Sequence, residues 1–366
     1  MQTPPRIWIV VLVAALVSGA VVANTLIGYG GDATAFIGFG EEAAATRAYA
    51  EEQLHDVVLR EKQGHDGKFF FVQANDPWLL KPAEHAALLE PPVYRSQRML
   101  YPVLAGVMGV LGPEAIVWSL VVVNIIGMVL GTIATARLAR LLGGSEWWGL
   151  AFVLNFGLLF DLQNDGAGIV AACLAIWGVL MLYRRQYWWA IALFGGAVLA
   201  REVMLITSVG AAAWHWFDGR RQKALATAAI PLFSLAVWIA YVTARIGPDQ
   251  TSVGAFSAPF VGLVKSFQGW LEDPVNLAIG ISMLLLMIIY TMRWWTSRTA
   301  LGWSYVGFVA VALVMSERVW SQPFDFARAL APLLSAAILL VFVELSSQTH
   351  SRETDLAVST RARASD

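Results

Sequence analysis

IWIVVLVAALVSGAVVANTLI, residues 7–27, is a strongly apolar run close to the start of the chain. About 20 such residues form a helix that crosses the hydrocarbon core of a bilayer. The run follows a short polar leader, as in a signal peptide, but it is long for one and no clean A-x-A cleavage site follows it. We therefore predict an uncleaved first span whose N-terminus lies in the cytoplasm.

The composition extends this prediction to the whole chain. Of its 366 residues, 58% are hydrophobic and only 14% are charged, and the mean hydropathy is +0.61. A soluble domain cannot hide so much apolar surface, because its outside must be mostly polar. We predict an all-α, polytopic integral membrane protein. The net charge of -1 gives no reason to expect nucleic-acid binding, and a single cysteine, Cys173, excludes a disulfide within one chain.

Clusters of arginine and lysine predict the topology, because they stay on the cytoplasmic side of a membrane. Apart from the charges of the C-terminal tail, the clusters lie at 137–140, 184–185, 220–223 and 293–298. All of these clusters lie on the cytoplasmic side if the apolar block 99–111 lies on the outer surface and does not cross the membrane. Its length supports this, because a helix of that length reaches only about 20 Å. We therefore predict about ten spans, with both termini in the cytoplasm. The predicted spans are 7–27, 114–136, 147–160, 166–183, 187–200, 203–217, 224–244, 275–292, 300–315 and 329–345.

This topology divides the chain into a membrane domain, 1–345, and a polar tail, 346–366, which we predict to be a disordered cytoplasmic segment. Within the membrane domain, 28–111 forms a large first extracytoplasmic loop with juxtamembrane helices, too long for a mere connector. Residues 41–63 are rich in helix-forming residues, and 86–90 predicts a further short helix.

Two acidic residues of this loop are candidate catalytic groups. Asp32 follows the first span in GYGGDATAF. It is either the N-cap of a short helix that starts at Ala33 or a general base that faces a lipid-borne substrate, and its spacing alone favours the cap. Asp66 lies in GHDGKFFFVQANDPW, residues 64–78, where Asp-Gly and Asn-Asp-Pro are turn signals. We expect Phe69–Phe71, between the two turns, to anchor the loop in the membrane interface.

Arginines that disobey the positive-inside rule lie on the predicted outer face. Arg95 and Arg98 follow Tyr94 and share one face if the segment is helical. They either extend into the lipid headgroups or capture a phosphate, a task that suits the guanidinium group. Arg201-Glu202 interrupts an apolar run, either as a structural ion pair at a helix turn or as a functional pair at the outer mouth of two short spans.

The remaining outer segments are short and charged. SERVWSQPFDFARALAP, residues 316–332, carries Asp325 and Arg328 besides Glu317 and Arg318, and the loop 161–165 adds Asp161 and Asp165. Together these features place acids and arginines at the ends of several spans on one face, as expected where an acid or base meets a lipid phosphate. The spacing of the five histidines supports no metal site, and we predict no cofactor.

The motifs HDGKFFFVQANDP, YRSQRMLYPVLAGVMGVLG, AREV and FDFARALAP together resemble a known family. In this order they are similar to the C-type (GT-C) membrane glycosyltransferases, and more narrowly to bacterial cell-surface glycopolymer-formation proteins. His65 and Lys68 depart from the family pattern, which has Tyr and Gln at these positions. The resemblance implies the bacterial inner membrane, a polyprenyl-phosphate-linked sugar donor and an outer-face active site.

The predicted reaction is transfer of a sugar, of the inverting type, to a glycan or lipid acceptor. The resemblance implies that Asp32 is the base. We expect Asp66 to orient the acceptor or to serve as the alternative base, and Glu202 to hold Arg201 in position. The predicted phosphate-binding set is Tyr94, Arg95, Arg98, Arg201, Asp325 and Arg328. The rivals are a transporter or flippase for lipid-linked glycans and a non-catalytic assembly subunit. Few ionisable residues lie in the inner halves of the spans and no inverted repeat is obvious, which disfavours a transporter.

Overall fold

A computed structural model describes residues 7–54, 56–249 and 254–343. These residues are almost entirely helical. The α-helices are α1 (Ile7–Gly28), α2 (Ala44–Leu54), α3 (Gly67–Asn75), α4 (Pro82–Leu88), α5 (Pro92–Ser96), α6 (Leu100–Gly106), α7 (Pro113–Leu141), α8 (Leu150–Val153), α9 (Phe156–Gln163), α10 (Gly168–Tyr183), α11 (Tyr187–Ala200), α12 (Leu205–Phe217), α13 (Arg221–Ile246), α14 (Val261–Glu272), α15 (Pro274–Ser297), α16 (Ala300–Val314), α17 (Glu317–Trp320) and α18 (Pro323–Ile338).

Smaller elements connect these helices. One parallel pair of strands, β1 (Phe39–Gly40) and β2 (Leu59–Arg60), is the sheet found in the described part of the chain. A π-helix, Leu339–Val343, continues α18. Short 3-10 helices lie at Ala33–Phe36, Val107–Leu111, Glu146–Gly149 and Glu202–Met204.

Five helices are long and apolar enough to cross a membrane, as expected for a membrane protein. They are Ile7–Gly28, Pro113–Leu141, Arg221–Ile246, Pro274–Ser297 and Pro323–Val341, and each overlaps a predicted span. The predicted span 147–160 is not one helix, because Leu154 breaks it between α8 and α9. The other predicted spans correspond to α10, α11, α12 and α16, which hold 13 to 16 residues and reach only about 20–24 Å.

The helices alternate in direction, so that one end of the bundle differs in charge from the other. α10 begins and α11 ends close to Asp161 and Arg201. The opposite end of that pair therefore carries Arg184 and Arg185. At this opposite end, the Tyr183 hydroxyl accepts a hydrogen bond from the backbone of Leu301, at the start of α16. The basic clusters 184–185, 220–223 and 293–298 adjoin this opposite end, where Arg220 donates to the Tyr187 hydroxyl at the start of α11 and Trp294 packs against Trp303 of α16.

Residues 29–112, between α1 and α7, form a compact segment that packs on the end of the bundle where Asp161 and Arg201 lie. Its core is aromatic: Phe71 meets Phe39 edge-to-face with ring centroids 5.9 Å apart, and Phe70 meets Tyr101 at 5.2 Å. Phe70 and Phe71 are buried, and Phe69 is 9% exposed. The prediction that Phe69–Phe71 anchor the loop in the membrane is therefore wrong. The residues after Asp66 form α3, and this helix directs its phenylalanines into the protein.

A close contact between glycine backbones fixes the turn of this segment that leads into α3. Gly64 has φ +66°, and its backbone lies directly against that of Gly38 and Gly40. A Cβ at Gly64 would overlap the carbonyl oxygen of Gly38 and come within 2.6 Å of the Gly40 nitrogen. The close approach holds β1, β2 and the start of α3 as one unit.

One face of α13 holds the same segment from the other side. The Trp238 indole donates a 2.7 Å hydrogen bond to the carbonyl oxygen of Ser96, and the Arg245 guanidinium donates to that of Leu79. Just beyond the helix, the Asp249 carboxylate accepts hydrogen bonds of 2.8 Å from the backbone nitrogens of Val93 and Tyr94. Asp249 thus caps α5 from a distant part of the chain, since the residue before α5 provides no side-chain cap.

Candidate functional site

Three guanidinium groups converge on the carboxylate of Asp66. Its oxygens lie 2.8 Å from Arg95 Nη1, 3.1 Å from Arg328 Nη2 and 3.6 Å from Arg98 Nη1. Asp66 immediately precedes α3, whereas Arg95 lies on α5 and Arg328 on α18. Asp66 therefore links the 29–112 segment to α18.

Arg98 has a second carboxylate partner in Glu202. Its Nε and Nη2 donate to the two oxygens of Glu202 at 3.0 and 2.9 Å, a bidentate pair, and Nη2 also donates to the Tyr94 hydroxyl at 2.8 Å. Among the described residues, Glu202 makes no direct ion pair with Arg201: Arg201 Nη1 donates to the carbonyl oxygen of Arg328, and Glu202 acts on Arg201 through electrostatic attraction alone. Arg201 has an extended backbone between α11 and the next 3-10 helix, so its side chain and that of Glu202 leave the chain in different directions.

Arg328 joins the network to α9. Its Nε donates to Asp161 at 2.7 Å, and its Nη1 lies 3.7 Å from the exposed carboxylate of Asp325. Asp161 itself is 1% exposed. The structure thus brings together eight of the nine predicted site residues, all except Asp32.

A partly different set of four arginines and four carboxylates is called the charge network: Arg95, Arg98, Arg201, Arg328, Asp66, Asp161, Glu202 and Asp325.

The two remaining acidic candidates lie outside the network. Asp165 is fully buried, with its carboxylate 3.5 Å from the hydroxyl of Tyr101. Asp32 caps the 3-10 helix that starts at Ala33, and its carboxylate accepts a 2.8 Å hydrogen bond from the Thr34 nitrogen. The cap that the spacing favoured is therefore present. The Asp32 backbone nitrogen donates to the carbonyl oxygen of Tyr29.

A cavity of about 1240 Å³ opens between the 29–112 segment and residues in and beside α9, α17 and α18. Tyr29 contributes to its wall, whereas Asp32 is not among the residues described as lining it. Aromatic rings of Phe69, Phe160 and Phe324 also line it, the last two stacked with centroids 5.0 Å apart. The acidic lining residues are Glu61, Asp66, Glu90 and Asp325. The basic ones are Arg60, Lys62, Lys68, Arg95, Arg318 and Arg328.

The network keeps Asp66 ionised. Burial alone would raise the pKa of its carboxyl group, but Arg95, Arg328 and Arg98 outweigh burial and hold the pKa well below its ordinary value. A carboxylate with so low a pKa is a weak base. This electrostatic setting favours an orienting role for Asp66 over the alternative role of general base.

His65, beside Asp66, makes stability depend on pH. Its pKa is lowered from 6.5 to about 4, first by burial and then by Arg60 and Arg328. The unfolded chain binds a proton near pH 6.5 and the folded chain does not, so His65 lowers stability as the pH falls from about 6.5 to 4. We expect His65→Gln to show a smaller fall in melting temperature between pH 7 and 4.5 than the parent protein, in thermal melts in detergent. An equal fall in both proteins would contradict this assignment.

Sequence reasoning missed three residues at the site. Arg60 and Lys68 give no signal in the sequence, because neither interrupts an apolar run. Lys68 departs from the family pattern, but that departure does not identify it as a site residue. Asp249 lies in a long outer segment with no local signal that it would cap α5. In the described ranges, no three His, Cys, Asp or Glu side chains are grouped so that they could hold a metal ion.

Comparison with known proteins adds no relative to these observations. No family model matches the chain, and the searches of curated proteins and of solved structures also return no match. The resemblance of the loop motifs to GT-C glycosyltransferases therefore stays a prediction, and the function is argued from the site.

Proposed function

We propose that this protein is a membrane glycosyltransferase that uses a polyprenyl-phosphate-linked sugar. The observation that carries the proposal is the cavity of about 1240 Å³, in which basic side chains and aromatic rings lie side by side. Cations suit the phosphate of such a donor, and aromatic faces suit the apolar face of a sugar ring or the first isoprene units. The volume is ample for a sugar phosphate together with an acceptor hydroxyl.

The proposed topology places this cavity on the extracytoplasmic face of the bacterial inner membrane. It comprises ten spans, with α10, α11, α12 and α16 and the broken α8–α9 pair completing the five long helices, and both termini in the cytoplasm. The basic clusters at the end of the bundle remote from the cavity support this orientation through the positive-inside rule. Residues 28–111 then form the outer loop, and glycopolymer synthesis at the cell surface is the proposed setting.

In the proposed reaction, an acceptor hydroxyl oxygen attacks the anomeric carbon of the donor sugar. The bond from that carbon to the phosphate oxygen breaks with inversion, and polyprenyl phosphate leaves with the electron pair. Asp32 takes the proton of the hydroxyl group. Asp66 orients Arg95, Arg98 and Arg328, which shape the cavity, and cationic side chains of the cavity wall stabilise the negative charge that develops on the leaving phosphate.

Asp32→Asn tests the catalytic step, because asparagine caps a helix as well as aspartate does but is not a base. We expect transfer to fall at least 100-fold, with donor binding within about threefold of the parent. The measurement is transfer from a polyprenyl-phosphate sugar by the purified protein in lipid, together with mass spectrometry of cell-surface glycans. If Asp32 is a cap alone, Asp32→Asn keeps the parent rate, and the base assignment is wrong.

The same strains separate the rival functions. A transporter or an assembly subunit would leave surface glycans unchanged in Asp32→Asn while a deletion strain loses them. A flippase would also move a labelled lipid-linked glycan across vesicles without forming a glycosidic bond. Either result would replace the proposed reaction.

A further inference from the structure

We propose that Arg60 and Lys68, two cations of the cavity wall that pair with no carboxylate in the described part of the chain, form the subsite that binds the anionic phosphate group of the ligand. The proposal rests on the proposed function for the identity of the ligand as a phosphate ester of a lipid. The subsite itself is inferred from how the cations of the cavity are paired.

The charge network is already neutral without a ligand. Its four arginines face four carboxylates, and Arg95, Arg98 and Arg328 each lie within 3.1 Å of at least one carboxylate oxygen. A phosphate that bound there would have to displace Asp66 or Glu202 from its guanidinium partners, or add a negative charge beside them. The network is therefore better suited to shaping the cavity than to providing its net positive charge.

Arg60 has no such partner. No carboxylate pairs with it in the described part of the chain. Its guanidinium lies 4.5 Å above the Tyr29 ring, and Nη2 donates to the neutral amide oxygen of Asn164 at 3.3 Å. Its Nε is buried without a hydrogen-bond partner. Burial lowers the pKa of Arg60, as expected for a cation that is partly removed from water and not neutralised.

Lys68 repeats this pattern on the first turn of α3. It is 5% exposed, and its Nζ donates to the carbonyl oxygen of Gln63 and lies 5.0 Å from the centre of the Phe69 ring. No ion pair with a carboxylate is found for it among the described residues. Between these two cations, His65 is neutral at pH 7 and adds no further positive charge.

Removing a cation from water lowers stability unless a counter-ion compensates for the lost hydration. The attraction of Asp66 offsets this cost for Lys68 only in part, because burial still lowers the pKa of Lys68. Two such cations at one cavity are explained if an anion that the chain does not contain completes the site. Functional sites commonly tolerate such a cost. The expected ligand group is a phosphate monoester or diester, because it accepts several hydrogen bonds from a guanidinium and an ammonium at once.

The test is binding of undecaprenyl phosphate to the full chain in nanodiscs, with neutral polyprenol and inorganic phosphate as separate probes. We expect Arg60→Gln and Lys68→Gln each to weaken the binding of undecaprenyl phosphate at least tenfold and to leave the binding of polyprenol unchanged. Arg47→Gln is the matched control, because Arg47 is exposed, paired with Glu51 and remote from the cavity lining. If inorganic phosphate competes as well as the lipid, the subsite takes free phosphate; if it does not, the lipid is the source.

A second measurement separates ligand binding from a structural role. Without ligand, the melting temperature of Arg60→Gln should equal or exceed that of the parent, since an uncompensated cation is removed. A clear fall would overturn the proposal, and so would unchanged affinity in Arg60→Gln while Arg95→Gln loses binding. Because binding needs no transfer, loss of affinity in Arg60→Gln supports the subsite even if the parent protein proves to transfer no sugar.

Discussion

Asp66→Asn should abolish activity and lower the free energy of unfolding by about 3–5 kcal/mol, which is the range for removing one member of a buried ion pair. The physical cause is repulsion. Asp66 separates Arg95, Arg98 and Arg328, and its side chain is only 24% exposed, so water cannot take over its role. Thermal or denaturant melts in detergent measure the loss, and sugar transfer measures the activity.

Asp325→Asn is the control for this prediction. Asp325 lines the same cavity and approaches Arg328, but at 3.7 Å and with a side chain 48% exposed. We expect a change below about 1 kcal/mol, as for surface pairs. Removing Arg95 in the Asp66→Asn background should restore part of the stability, because Asp66 is the carboxylate with which Arg95 pairs. If the double variant is no more stable than Asp66→Asn, repulsion is not the cause.

Gly64→Ala should destabilise the protein by about 3–5 kcal/mol, combining about 1–2 kcal/mol for a left-handed backbone with the cost of a backbone clash. The added Cβ would meet the backbone of Gly38 and Gly40, which no side-chain rotation relieves. Since β2 carries Arg60 and α3 carries Lys68, we also expect binding of undecaprenyl phosphate to weaken. Melts and binding assays on the same preparation measure the two effects.

Gly30→Ala provides a matched control, because Gly30 has the same φ of +66° and its added Cβ would meet nothing within 4 Å. We expect it to cost only the conformational part, about 1–2 kcal/mol. The difference between the two variants measures the close approach of the backbones. Equal losses would show that the contact at Gly64 contributes nothing.

Much of the fold follows from apolar patterning. The long apolar runs predicted the five helices that can cross a membrane, because length and composition alone decide that property. The same rule also separated 187–200 from 203–217, which correspond to α11 and α12, but it did not resolve the break within 147–160. Asn155 shows why: its side chain caps α9 and also donates to the carbonyl oxygen of Ala331, a contact that no local pattern contains.

The site shows the same division between local and distant causes. The misplaced charges identified Asp66, Arg95, Arg98, Arg201 and Arg328, since a charge beside an apolar run is visible in one sequence. Their pairing was not visible. Which carboxylate each arginine meets depends on how α3, α5 and α18 pack, and the pairing of Glu202 with Arg98 instead of Arg201 is a consequence of that packing.

Helix α13 and Asp249 hold residues 78–96 partly by their main chain, through the carbonyl oxygens of Leu79 and Ser96 and the amide nitrogens of Val93 and Tyr94. The buried side chains of Leu79 and Val93 complete the contact by packing with Trp238 and Val242. Exposed positions such as Leu80 and Lys81 take no part in that packing and can be exchanged without undocking this stretch. The docked position of the segment thus constrains a few inward-facing side chains and leaves the outward-facing ones free to vary.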